Sequence, residues 1–83
     1  MIELYLAEDC GFCVKVRQFL ESEGIAYLAK PVPLWGTTPL KEELKQLGGK
    51  TQVPFLVDPA RGVKMYESED IIAYIRQHYA PRK

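Results

Sequence analysis

The sequence predicts an α/β domain, a four-stranded mixed sheet flanked by three helices in the order β-α-β-α-β-β-α. Three observations carry this expectation. Residues 2–29 run from a strand pattern through a helix pattern to a second strand pattern, the signature of a parallel βαβ unit. Later, two strand-forming runs flank the turn Asp58-Pro59-Ala60-Arg61-Gly62 and read as an antiparallel hairpin. The remaining stretches show helical periodicity with recognisable starts and stops.

The elements follow in order. Ile2, Leu4 and Leu6 alternate with Glu3 and Tyr5, the period of a strand with one buried face. Phe12, Val16, Phe19 and Leu20 then recur at helical spacing, with Lys15, Arg17, Gln18 and Glu21 elsewhere on the wheel. This helix is expected over residues 11–23, with Gly24 just past its end, where positive φ is wanted. Residues 25–29, Ile-Ala-Tyr-Leu-Ala, form the second strand candidate. From Lys30 to Thr37 the chain is expected to loop, because Pro31, Pro33 and Gly36 interrupt every pattern. The loop carries Trp35, expected as a lid over the core edge, with a substrate-facing role as the alternative.

Thr38-Pro39 starts the second helix, with threonine at the N-cap and proline in the first helical position. Leu40, Leu44 and Leu47 make its apolar stripe, and Gly48-Gly49 stops it. Phe55-Leu56-Val57 is strongly strand-forming, and Pro54, which has no N–H for a ladder, belongs at its start. Val63 to Tyr66 supplies the last strand. The third helix opens near Glu67-Ser68-Glu69-Asp70, with Ser68 as N-cap and acidic residues at the positive end of the dipole. Its buried face is Ile71, Ile72, Ile75 and Tyr79, with Pro81 beyond its end.

Bulk properties narrow the function. Eighty-three residues suit a single domain, residues 1–83. Eleven basic and eleven acidic residues cancel, so the sequence offers no field for nucleic acid. No apolar run approaches the ~20 residues of a membrane span. Met1-Ile2-Glu3 lacks the basic, then apolar, pattern of a secretory leader. A cytoplasmic location is expected, and a monomer.

The only two cysteines are Cys10 and Cys13, separated by Gly11-Phe12 at the head of the first helix. A thiol there faces unpaired backbone N–H groups and the positive end of the dipole, which favour the nucleophilic thiolate. The second thiol, one turn along, is placed to attack a mixed disulfide formed on the first. A structural disulfide is the weaker reading, because so short a loop constrains the unfolded chain little. Zinc is disfavoured too: a structural site wants four ligands, and the chain offers two cysteines and the distant His78. No metal is expected, and His78 is read as a solvated helix-end residue.

Cys10-Gly11-Phe12-Cys13, Val53-Pro54 and Glu67-Ser68 at these separations resemble glutaredoxins. Gln52-Val53-Pro54 and Glu67-Ser68-Glu69-Asp70-Ile71-Ile72-Ala73-Tyr74-Ile75 are closer still to the N-terminal domain of glutathione S-transferases. Both belong to the thioredoxin fold, and the resemblance spans nearly the whole chain. It implies Cys10 as attacking and Cys13 as resolving cysteine. It implies a glutathione site formed by Phe12, Gln52, Val53, Pro54, Glu67 and Ser68. There Val53 pairs with the peptide as an added strand would, Pro54 is cis, and Ser68 holds the γ-glutamyl carboxylate. A helix N-terminus is itself an anion site, so capping and carboxylate binding compete for the Ser68 hydroxyl. The sequence also departs from the pattern. Gly11-Phe12 is the pair seen in single-cysteine, iron–sulfur-carrying glutaredoxins. The lysine common shortly before the first cysteine is replaced by Ala7-Glu8-Asp9, whose carboxylates oppose the thiolate.

The resulting expectation is a glutathione-dependent thiol-disulfide oxidoreductase. It reduces glutathionylated proteins or small mixed disulfides, with glutathione as co-substrate and no tightly bound cofactor. The rivals are a glutathione-ligated iron–sulfur carrier, a thioredoxin-like protein served by a flavoprotein reductase, and a transferase-like domain lacking its helical partner.

Overall fold

The computed structural model describes residues 1–79. The elements are β1 (Glu3–Leu6), α1 (Gly11–Glu23), β2 (Leu28–Pro31), α2 (Pro39–Gly48), β3 (Phe55–Asp58), β4 (Val63–Tyr66) and α3 (Ser68–His78). The sheet order is β2-β1-β3-β4. β1 runs parallel to β2 and antiparallel to β3, and β3 and β4 form the expected hairpin. No helix among the described residues is long and apolar enough to cross a membrane. Pro81 lies outside the described residues.

Strand alternation sorts the core into two layers. Ile2, Leu4 and Leu6 from the first strand segment and Leu56 from β3 join Cys13, Val16 and Leu20 of α1 and Ile71, Ile72 and Ile75 of α3. The intervening residues, Tyr5 and Phe55, face the other way and bury with Val32, just past β2, and with Leu44 of α2. So α1 and α3 cover one face and α2 the other, as the period-two pattern requires.

Local signals fix the helix ends. Gly24 adopts φ 68°, and its N–H and that of Ile25 return to the last turn of α1. Thr38 caps α2 through a hydrogen bond from the Lys41 N–H, and Gly49 closes it at φ 92°. Gly48 makes a different demand. An ideal Cβ there would lie 2.1 Å from the Tyr66 hydroxyl, which itself donates to the Lys50 carbonyl at 2.6 Å.

Five sequence expectations are corrected. The second strand is Leu28–Pro31, not residues 25–29. The Ile25 N–H is tied to Leu20 O at 3.0 Å, so pairing with β1 begins only at Leu28, whose N–H reaches Ile2 O at 2.9 Å. Ile25 and Tyr27 still pack against the core, but from the connection. Leu47 is exposed, and α2 buries Leu44 alone. Phe12 is 67% exposed, and Cys13 takes the buried position at the head of α1. Trp35 is no lid: it is 87% exposed. Finally, Ser68 is not the N-cap of α3. Glu67 holds that position at φ 75°, and no side chain caps the helix.

Each face also carries a tyrosine–carboxylate cluster. Beneath α2, the Tyr5 hydroxyl donates to Glu43, and Lys30 reaches Glu43 at 3.0 Å and Glu3 at 3.1 Å. Burial, with the Glu43 contact, pushes Tyr5 up to about 12. At the β3–β4 hairpin, Asp58 is fully buried. It accepts hydrogen bonds from the hydroxyls of Tyr74 and Tyr79 and pairs with Arg61 at 3.2 Å. Burial works to raise the Asp58 carboxyl, but these donors outweigh it and hold the group below the usual carboxylate range.

Candidate active site

Cys10 stands where β1 hands the chain to α1. Its backbone is extended (φ −114°, ψ 113°), and its sulfur caps the helix by accepting the Cys13 N–H at 3.2 Å. Serine or aspartate oxygens commonly fill this role; here a sulfur occupies it, aimed at the orphan N–H groups. The same sulfur lies 4.0 Å from the Val53 carbonyl oxygen. Cys13 is fully buried and its sulfur accepts the Ala7 N–H at 3.5 Å. Burial, then the contact with Cys10, pushes the Cys13 thiol up to about 12. Both cysteines are free. The two thiols are thus unequal: one partly open at the helix head, the other protonated and enclosed one turn inside.

Across from Cys10, the Val53–Pro54 bond is cis and Pro54 is buried, immediately ahead of β3. Phe12, Gln52, Val53, Pro54, Glu67 and Ser68 line one cavity of about 190 Å³. The six residues named from the resemblance are therefore brought together by three separate segments. Ser68 is only 6% exposed in the first turn of α3. The Gln52 amide donates to Glu67 at 3.1 Å, bridging two of the walls. Glu67 is the only non-glycine residue at positive φ among the described residues. Such a conformation costs about 1–3 kcal/mol and clusters at functional sites. Nothing in the sequence signals it; a residue before a helix ordinarily takes extended backbone.

A second cavity, about 380 Å³, lies on the β2 side and is lined by Glu8, Asp9 and residues 31–35, Trp35 included. Glu8 and Asp9 entered the sequence reading only as neighbours of Cys10, and their meeting with Trp35 depends on the β1–β2 pairing. Among the described residues no group of three or more histidine, cysteine or acidic side chains is placed to hold a metal.

The sheet order, the three helices and the thiol at the head of α1 define a thioredoxin-fold domain. Residues 4–83 match the N-terminal domain of glutathione S-transferases, and the chain belongs to that family. Among curated proteins it is similar to glutaredoxin 3 of Escherichia coli (strain K12), 30% identical over 53 residues, which cover 64% of this chain and 61% of the relative. Among solved structures it resembles a delta-class glutathione transferase of Nilaparvata lugens (TM-score 0.82, 26% identity, 99% of this chain and 38% of that one). Human glutathione S-transferase T1-1 is similar at TM-score 0.82 and 27% identity, over 98% of this chain and 34% of the other. The chain spans about three fifths of the curated relatives it matches and little more than a third of these transferases.

Proposed function

We propose that this domain is a glutathione-dependent thiol-disulfide oxidoreductase acting through Cys10, on glutathionylated proteins or small mixed disulfides. The observation that carries the reading is the position of the Cys10 sulfur, capping α1 and 4.0 Å from the oxygen of Val53, which lines a cavity together with Phe12, Gln52, Pro54, Glu67 and Ser68. Glutathione in that cavity presents its backbone to Val53 and its γ-glutamyl carboxylate to the head of α3, where N–H groups are unpaired. The absence of a side-chain cap on α3 supports this role, since the Ser68 hydroxyl is not engaged as the N-cap.

Cys10 attacks the disulfide as thiolate and forms a mixed disulfide. Glutathione resolves it on the principal route. Cys13 does so more slowly, because a thiol pushed up to about 12 by burial is almost wholly protonated at neutral pH. Cys10→Ser should abolish glutathione-coupled reduction of a hydroxyethyl mixed disulfide. Cys13→Ser should keep it, and iodoacetamide should label Cys10 ahead of Cys13 in peptide mass maps. Activity surviving in Cys10→Ser sinks the assignment. The family match favours a second reading, in which the same cavity presents glutathione for conjugation; turnover of chlorodinitrobenzene by the Cys10→Ser variant would favour it.

A further inference from the structure

The larger cavity, on the β2 side, is not used by the glutathione reading. Its walls are Glu8, Asp9 and the segment 31–35. Asp9 is the residue before Cys10, whereas the smaller cavity reaches Cys10 through Val53. β1 runs antiparallel to β3 and parallel to β2. The end of β1, the end of β2 and the start of β3 therefore lie at one sheet end, where the chain lines the larger cavity with Asp9 and, one residue on, sets the Cys10 sulfur 4.0 Å from the Val53 oxygen of the smaller one. A mixed disulfide attacked by Cys10 has two halves, and this arrangement gives each its own recess.

The second recess is part apolar and part acidic. Pro31, Pro33 and Leu34 make apolar walls, and Trp35 leaves 87% of its surface open. The loop carrying Trp35 is pinned by the Lys41 ammonium, which donates to Leu34 O at 3.3 Å and Gly36 O at 2.8 Å. That nearby cation is thereby engaged by carbonyls. Arg17 shares an adjoining cavity with Glu8, yet among the described residues neither Glu8 nor Asp9 takes part in a salt bridge. Two carboxylates and an open indole face suit one kind of group: a cation on a short apolar stem, attracted by charge and by the ring quadrupole.

We propose that this recess receives the non-glutathione half of the mixed disulfide and selects one bearing an ammonium group. The inference rests on the oxidoreductase reading above. Cys10 thiolate attacks the glutathione sulfur of the mixed disulfide, forming the Cys10–glutathione disulfide. The other sulfur leaves with the bond's electron pair and takes a proton from solvent. A glutathione thiolate then attacks the bound glutathione sulfur, freeing Cys10 and releasing glutathione disulfide. Net, one mixed disulfide and one glutathione yield one glutathione disulfide and one cationic thiol.

The test compares kcat/KM for three glutathione mixed disulfides of similar size, those of cysteamine, 2-mercaptoethanol and 3-mercaptopropionate. The cysteamine compound should lead and the carboxylate compound trail by about 5-fold, as expected for exposed charges. The gap should close at about 1 M salt, where the Debye length is ~3 Å. Glu8 and Asp9 are exposed, so the double variant E8Q/D9N should fold, and it should bring the three ratios together; D9K should reverse the order. Any effect of the carboxylates on Cys10 itself cancels in these ratios. Equal rates in the parent protein, or a preference that survives in E8Q/D9N, overturns the proposal. A second readout needs no turnover. Trp35 is the only tryptophan, so its emission in the Cys10→Ser variant reports occupancy directly. Charge-ranked binding by emission in that variant, with none of the three compounds turned over by the parent protein, upholds the recess and sinks the redox reading. Turnover without charge ranking does the reverse.

Discussion

The two tyrosine–carboxylate clusters use the same groups in different settings. Asp58 is fully buried and holds Tyr74, Tyr79 and Arg61 around it. Glu43, which holds Tyr5 and Lys30, leaves 43% of its side chain exposed. The Asp58 cluster ties the β3–β4 hairpin to α3, whose first turn forms one wall of the smaller cavity. The Glu43 cluster ties α2 to β1 and β2, and water competes for its partners. Like chemistry should therefore carry unlike energy, the larger share lying at the hairpin.

The comparison breaks most readily at Asp58. Asp58→Ala leaves the Tyr74 and Tyr79 hydroxyls without their acceptor, while Arg61 keeps the Tyr79 oxygen at 2.9 Å. It should cost about 3 kcal/mol, the upper end for orphaning a buried group, read as a lower urea midpoint at unchanged slope. The same carboxylate should set acid sensitivity. Its folded pKa lies below the unfolded value. Its contribution is therefore complete above the unfolded value of ~3.9 and is lost as pH falls through the lower folded value. The stability gap between the parent and Asp58→Asn should narrow over that acidic window; a constant gap there contradicts the account.

A packing test on the α2 side comes next. Gly48→Ala places a methyl group where the Tyr66 ring now lies, and overpacking of this kind costs roughly 1–3 kcal/mol. Much of the loss should be recovered by adding Tyr66→Ala, and additivity of the two changes would count against the contact. The smallest effect belongs to Glu43→Gln. With Lys30 and Glu43 both partly exposed, it should cost under ~1 kcal/mol and fade with salt. Tyr5, pushed up to about 12, should keep its neutral-form stability up to the unfolded value near ~10 and lose it as pH rises through about 12. A Glu43→Gln loss matching that of Asp58→Ala would erase the distinction between the clusters.

What the sequence made legible was local. α1 begins at Gly11 and ends before Gly24 because the cap and the left-handed glycine act within one turn. The Thr38-Pro39 start of α2 and the β3–β4 hairpin are local in the same sense. That Phe12, Gln52, Val53, Pro54, Glu67 and Ser68 would meet in one cavity was legible only through family resemblance, since they come from three segments. What stayed hidden depends on distant partners. β2 slid toward Leu28 because its register answers to Ile2 and Leu6. Ser68 moved inside α3 because Glu67 took a backbone conformation that no local signal requires. The meeting of Tyr5 with Glu43 spans 38 residues, beyond any periodicity.

The placement of β2 has a consequence for self-association. β2 is an edge strand, and an edge is a template on which another chain can add by ladder pairing. Leu28 and Val32 turn their N–H groups inward to Ile2 and Leu6. Strand alternation turns those of residues 29 and 31 outward. Residue 31 is proline and has no N–H to offer, so an incoming strand would find Ala29 alone as a donor along β2. The proline that interrupts the sequence pattern thus guards the rim of the sheet against fibre-like growth, and it does so without taking a single hydrogen bond from β1.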